Sequence, residues 1–272
     1  MQAIGQRQRD LLLNVSKRDG TNDSEFYVYR YLAAEGFLPG YNFTRLPVRA
    51  FIGKRSQDEG VFISRPRFIA LREFGPGNLI YNNGGKFRVT RMQLSESDAK
   101  TDFLKISTKT GYAWLGEEGK TVNNDPITQD PLKGQANAAV YNNIMELVES
   151  DTWPQERISS EEEERMSSGY EIEQFFNFPN GIDSTQKTVL KSSGHALMNL
   201  TFCPAAKLIQ VNKRWRSSKT PEGDEEVGFT IGKVSGKWLK KAELDNPDRE
   251  NDPAMTVHLY TTDTADSLYM QP

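Results

Sequence analysis

A chain of 272 residues with a formal net charge of −3 and 26% charged side chains is long enough to bury a core and lacks the strongly basic profile of a dedicated nucleic-acid coat protein. Its single cysteine, Cys203, excludes an internal disulfide, and with His195 and His258 as the only histidines it excludes a cysteine-rich metal site. No run approaches the roughly 18 apolar residues of a membrane-spanning helix, and MQAIGQRQRDLLLN lacks the basic-then-apolar order of a signal peptide, so the expected location is cytoplasmic, with no membrane partner.

In chain order, Ile4, Leu11, Leu12 and Val15 share one helical face, and Ser24 can cap a second helix that runs through Glu35 and stops at Gly36. Leu38-Pro39-Gly40 forces a turn, and Pro47 favours an extended path after it. FIALREF (68–74), LIYNNGGKFRVTRMQL (79–94) and FLKIST (103–108) read as strands. Asn82-Asn83-Gly84-Gly85 supplies the positive φ values of a tight hairpin, which suits a small antiparallel barrel or curled sheet. Residues 116–134 are rich in Asn, Asp, Gly and Pro and read as a loop; the alanine content of 136–148 predicts a helix. Ser159 and Ser160 stand three residues before glutamates, a capping-box pattern for a short acidic helix ending before Gly169. From Tyr170 on, YEIEQFFNF, KTVLKS, ALMNLTF, AKLIQVNKRWR, VGFTIG, GKWLKK and MTVHLY alternate between turn signals as in antiparallel β structure. The fold class expected is therefore α+β and β-rich: short N-terminal helices, a curled sheet or small barrel, then a second antiparallel β region with a few short helices.

The chemistry is read mainly by elimination. No GxxxxGK[ST] phosphate cradle occurs, and Gly119-Lys120-Thr121 lacks the glycine at the required offset. Neither histidine adjoins a GxSxG elbow; His195 reads as a turn residue, His258 as solvent-facing, and Cys203 as a small buried apolar side chain. Adjacent glutamates at 161–164 point in different directions on a helix and suit its solvated start better than a cation. The positive signal is basic residues interleaved with aromatics. From Arg30 to Lys105 basic residues outnumber acidic ones, and NKRWRSSK (212–219) forms a second basic cluster, whereas the acidic surplus lies around 161–164, 224–226 and 243–252. Such surfaces hold phosphates and stack bases, although arginines can equally anchor a chain to its own carboxylates while the aromatics fill a core.

EFYVYRYLAAEGFLPGYNF (25–43), RPRFIALREFGPG (65–77) and ISSEEEERMSSGYE (158–171), in one order from QRDLLLN to DTADSLYMQP, resemble the region behind the motor of large DEAD/DEAH-box helicases with a C-terminal zinc-binding region. These include the helicase subunit of DISARM-type phage defence. The hairpin IYNNGGKFRV is similar to the family's IYxHxGxxYxV, with Asn82 or Asn83 in place of the histidine. Where the family carries C-x-x-C-G-Y, this chain has Ser107, Thr110, Gly111 and Tyr112, and the downstream cysteine pair is missing from 122–134. Hydroxyls do not replace thiolates as zinc ligands, so the resemblance implies a metal-free and looser 107–134 segment.

The resemblance also implies a motor ahead of residue 1 and a family chain that continues beyond the last residue. It divides the chain into a helical connector (1–45), a small β-barrel-like domain with a degenerate metal-loop insertion (46–150) and a β-rich domain (151–272). The expected role is accessory. The chain, without enzyme activity of its own and without a cofactor, binds or positions DNA beside a helicase motor supplied in trans. The candidate contacts are Arg65, Arg67, Lys86, Arg88, Arg91, Lys213, Arg214, Trp215 and Arg216. The alternative is a protein-interaction module that docks onto a helicase or defence subunit without touching nucleic acid.

Overall fold

The computed structural model describes residues 46–54, 59–94, 101–134, 136–155, 169–216, 228–240 and 251–271. The helices expected within 1–45 and the acidic helix near 159–168 lie outside these residues. In chain order the elements are β1 (Val48–Lys54), β2 (Glu59–Arg65), α1 (Arg67–Glu73), β3 (Leu79–Asn82), β4 (Gly85–Met92), β5 (Asp102–Ser107), β6 (Ala113–Leu115), α2 (Glu118–Thr121), β7 (Ala138–Glu146) and β8 (Glu149–Pro154). They continue with β9 (Tyr170–Asn177), a 3-10 turn (Ile182–Ser184), β10 (Gln186–Ser192), β11 (His195–Trp215), β12 (Phe229–Gly232) and β13 (Ala254–Gln271). The chain is strand-rich, with a curled, half-barrel sheet in the order β2-β1-β8-β4-β3, as the β-rich α+β reading expects. A second sheet has the order β10-β11-β13-β7-β5-β6, with β12 on β13 and β9 on β11. Among the described residues no helix is long and apolar enough to cross a membrane.

Contacts divide the described residues into two units, each assembled from three stretches of chain. The first takes residues up to 101, 143–173 and 211–261; the second takes 102–142, 174–210 and residues from 262 on. The units interleave along the chain, whereas the sequence division ran in consecutive segments.

In the first unit the hairpin forms where the sequence places it. Asn82 pairs with Gly85, and Asn83 (φ 47°) and Gly84 (φ 76°) make the two-residue turn, both in the left-handed region that a type I′ turn requires. FIALREF, read as a strand, is instead the helix α1. Pro66 has an extended ψ of 142° and accepts from the Ala70 N–H at 2.9 Å, so the chain leaves β2 and turns directly into helix. Ala70, Leu71 and Phe74 fall on one helical side and are fully buried, which alternation could not achieve. Beneath the sheet they meet Val48, Ala50, Ile52, Ile80, Val89 and Met92, together with Leu259 and Val257 of β13. Ser150 Oγ donates to the Phe74 carbonyl at 3.0 Å, and the Tyr170 hydroxyl to that of Pro76 at 2.9 Å, closing the helix exit. Segment 136–148, predicted helical, is the strand β7, and its residues Ile144, Met145 and Glu146 pair in parallel with His258, Leu259 and Tyr260. Alanine's helix preference is worth tenths of a kcal/mol, less than the burial that Ile144 and Met145 gain between strands. GKWLKK contributes bridges at Lys237 and Trp238 and no strand of its own.

The second unit has its own apolar cluster of Tyr112, Trp114, Leu132, Ala138, Phe178, Cys203 and Ala206. ALMNLTF and AKLIQVNKRWR, two strands by sequence, are one strand, β11, in which Ala205 takes φ 54° after Pro204 and donates its N–H to Asp266 Oδ1 at 3.0 Å. Cys203 is buried, as expected, and burial raises its thiol pKa. The 107–134 segment is not loose. Thr110 Oγ1 donates to Asp125 Oδ2 at 2.6 Å, and Asp125 Oδ1 accepts from the Ile127 and Thr128 N–H groups at 2.7 and 3.0 Å. Lys109 joins Asp130 at 2.8 Å, and the Leu132 N–H joins the Asn123 carbonyl at 2.7 Å. Two turns are thus tied by hydroxyl and carboxylate, and Ser107 and Thr110 are both buried.

Candidate nucleic-acid interface

The residues nominated by sequence separate into three groups according to what their donors meet. Arg65 donates through Nε to Glu73 at 2.7 Å and through Nη1 to its neighbour's carbonyl, an exposed pair that joins β2 to α1. Arg67 reaches inward to Glu146, to Thr261 Oγ1 at 3.0 Å and to the Leu46 carbonyl at 3.4 Å. With its side chain 14% exposed, Arg67 is held inward by partners within its own chain.

The second group, Lys213, Arg214, Trp215 and Arg216 at the end of β11, is held against β9. Lys213 Nζ lies 2.9 Å from Glu171 and 3.0 Å from Glu173, and Arg214 Nε lies 2.7 Å from Glu171. Hydrogen bonds from Lys213 and Arg214 hold the Glu171 carboxyl below its usual pKa. Trp215 lies against Tyr170 with ring centroids 4.3 Å apart, and Arg216 Nη2 donates to the Tyr170 carbonyl at 3.4 Å. Here the basic-aromatic alternation builds a strand-to-strand seam. Next to it His258, expected to face solvent, is buried in β13, where its Nδ1–H donates to the Lys213 carbonyl at 3.0 Å. Burial there lowers its pKa.

The third group lies on the half-barrel sheet. Side chains alternate across a strand, and Ile80, Phe87 and Val89 turn to the core, so Tyr81, Lys86 and Arg88 turn outward. Register sets Tyr81 opposite Lys86, Leu79 opposite Arg88, and Arg88 in turn opposite Trp153 of β8. Tyr81 is 44% exposed and Trp153 51%. Arg88 Nη1 donates to the Gly77 carbonyl at 3.1 Å, which orients the guanidinium fork. At the irregularity between Val89 and Arg91 the exposed Arg91 comes opposite Asp151, which also accepts from Gln93. Farther along the same outer face Arg49 pairs with Glu149 at 3.0 Å and lies 4.5 Å over the Phe62 ring.

Tyr81, Trp153, Lys86, Arg88 and Arg91 therefore share one sheet face, and of these the sequence reading had named only the three cations as contacts. Tyr81 was within reach of that reading, because a two-residue Asn-Gly turn fixes Tyr81 against Lys86. Trp153 was not, because only the pairing of β4 with β8 brings it beside Arg88. The face thus sets the exposed Tyr81 and Trp153 beside Lys86, Arg88 and Arg91. Among the described residues no group of three His, Cys, Asp or Glu side chains is placed to hold a metal ion. No protein-family model, curated protein or solved structure matches the chain.

Proposed function

We propose that this chain is the nucleic-acid-binding or positioning portion of an ATP-dependent DNA helicase of a phage-defence system. In this reading it works in the cytoplasm beside a motor supplied by another chain and catalyses nothing itself. The observation that carries the binding half of the reading is the outer face of β3, β4 and β8, where Lys86, Arg88 and Arg91 stand among the exposed Tyr81 and Trp153. The helicase half rests on the sequence resemblance alone. Lys86, Arg88 and Arg91 are the nominated cations that this face brings together, whereas Arg67, Lys213 and Arg214 reach the chain's own carboxylates elsewhere. Gel-shift titration with single- and double-stranded DNA at 50 and 200 mM salt tests it: affinity that falls as salt rises supports the reading, and the absence of any complex at low salt refutes it.

A protein-docking module is the second reading, and a separate observation favours it. Every residue of β10 is exposed, Val189 and Leu190 included, and Leu197 on the facing strand is 53% exposed. Capture of a helicase or defence subunit that survives nuclease treatment and charge reversal at Arg88 would select this reading over the first.

A further inference from the structure

We infer that β10 takes up an extended, acidic segment of a partner protein as an added antiparallel strand. This rests on the protein-docking reading above and adds the chemistry of the partner. β10 ends the second sheet and pairs with β11 on one side, so its other edge has no strand beside it among the described residues. Along that edge every second residue turns a backbone N–H and C=O outward. Every residue of Gln186–Ser192 is exposed, Val189 by 43% and Leu190 by 50%, so nothing on the strand has to be uncovered before a partner arrives. A free edge of this kind is a template for strand addition, in which main-chain hydrogen bonds bring affinity and alternate side chains bring specificity.

The side chains specify the partner. Alternation puts Lys187, Val189 and Lys191 in one row and Gln186, Thr188, Leu190 and Ser192 in the other; the irregularity after Leu190 leaves its extra residue, Leu197, on β11. Register sets Lys187 opposite Thr201, Val189 opposite Asn199 and Lys191 opposite Ala196, so β11 supplies no carboxylate to either lysine. No hydrogen bond or salt bridge joins either lysine to another described residue. Asp183 belongs to the 3-10 turn ahead of the strand, outside both rows. A strand laid along the free edge places its own residues directly opposite both lysines, where opposite charges attract and like charges repel. A second copy of β10 is therefore the wrong occupant: antiparallel pairing over the whole strand would set Lys187 of each copy opposite Lys191 of the other. The fitting segment carries carboxylates four residues apart, with a β-branched residue midway opposite Val189 and an apolar one opposite Leu190.

The test is fluorescence anisotropy of the full chain with the labelled peptide Thr-Glu-Val-Val-Thr-Glu-Thr, which sets a glutamate opposite each lysine, and with the same peptide carrying lysine for both glutamates. The acidic peptide is expected to bind about tenfold tighter than the basic one, because two cross-strand pairs change from attractive to repulsive. The double variant Lys187→Glu, Lys191→Glu should reverse that preference; both side chains are exposed, and circular dichroism checks that the variant folds as the parent does. Methylating alternate backbone nitrogens of the acidic peptide should abolish binding in one parity and spare it in the other, because one edge of an added strand faces β10. Equal affinity for the two peptides, binding of neither at millimolar concentration, or an unchanged preference in the double variant overturns the inference. In each of those cases, capture of a helicase or defence subunit by parent and double variant alike leaves the docking reading standing on another surface. No capture by the parent removes that reading as well.

Discussion

Replacing Thr110 with valine keeps the branched shape of the side chain and removes only its hydroxyl. That hydroxyl donates to Asp125 Oδ2 at 2.6 Å and accepts from the Tyr112 N–H at 3.2 Å, and both contacts are buried. Asp125 is 1% exposed, so no water can stand in for the lost donor without rearrangement. A hydrogen bond to a charged group is worth about 1.5–3 kcal/mol, and an abandoned buried N–H adds about 1 kcal/mol. Thr110→Val should therefore cost about 3 kcal/mol. Thr110→Ser keeps both hydrogen bonds and loses a methyl, which costs about 1 kcal/mol. With a urea slope of about 2 kcal/mol per molar, the valine variant should unfold about 1.5 M earlier than the parent and the serine variant about 0.5 M earlier. Tryptophan fluorescence follows the transition, since Trp114 lies 4.8 Å from Tyr112 in the same cluster. Equal midpoints for valine and serine would refute the claim that this hydrogen bond ties the 107–134 segment.

Three further outcomes follow from the same contacts. Burial depresses the pKa of His258 below 6.5, so the unfolded chain takes up its proton at higher pH than the folded one. The stability that depends on neutral His258 is complete above about pH 6.5 and is lost as pH falls through the folded value, so thermal midpoints should drop between pH 7.5 and 5.5, and His258→Asn should flatten that drop. Gly84→Ala meets nothing within 4 Å but must hold φ 76°, so it should cost about 1 kcal/mol by chemical denaturation, purely from backbone conformation. Arg67→Ala removes one partner each from Glu146 and Thr261 and should cost about 2–3 kcal/mol while leaving nucleic-acid affinity unchanged; a parallel loss of affinity would return Arg67 to the interface.

What the sequence determined by itself is local. Asn83-Gly84 dictated a hairpin because only residues at ease with positive φ can close a two-residue turn, and with the turn came the register of Tyr81 against Lys86. Strand character after Tyr170 was legible from alternation, and Cys203 from its apolar neighbours. Tertiary structure decided the rest. FIALREF carries a short apolar run that helix and strand can both use, and only the core beneath β1 and β4 selects the helical face of Ala70, Leu71 and Phe74. The alanines of 136–148 favoured a helix until pairing with β13 rewarded extension. NKRWR and GKFRV look alike as strings, yet β9 meets the first with Glu171 and Glu173 while β8 meets the second with Trp153. An arginine's role depends on which side chain lies opposite it on the next strand, and sheet pairing sets that neighbour from sequence distances that no local pattern encodes.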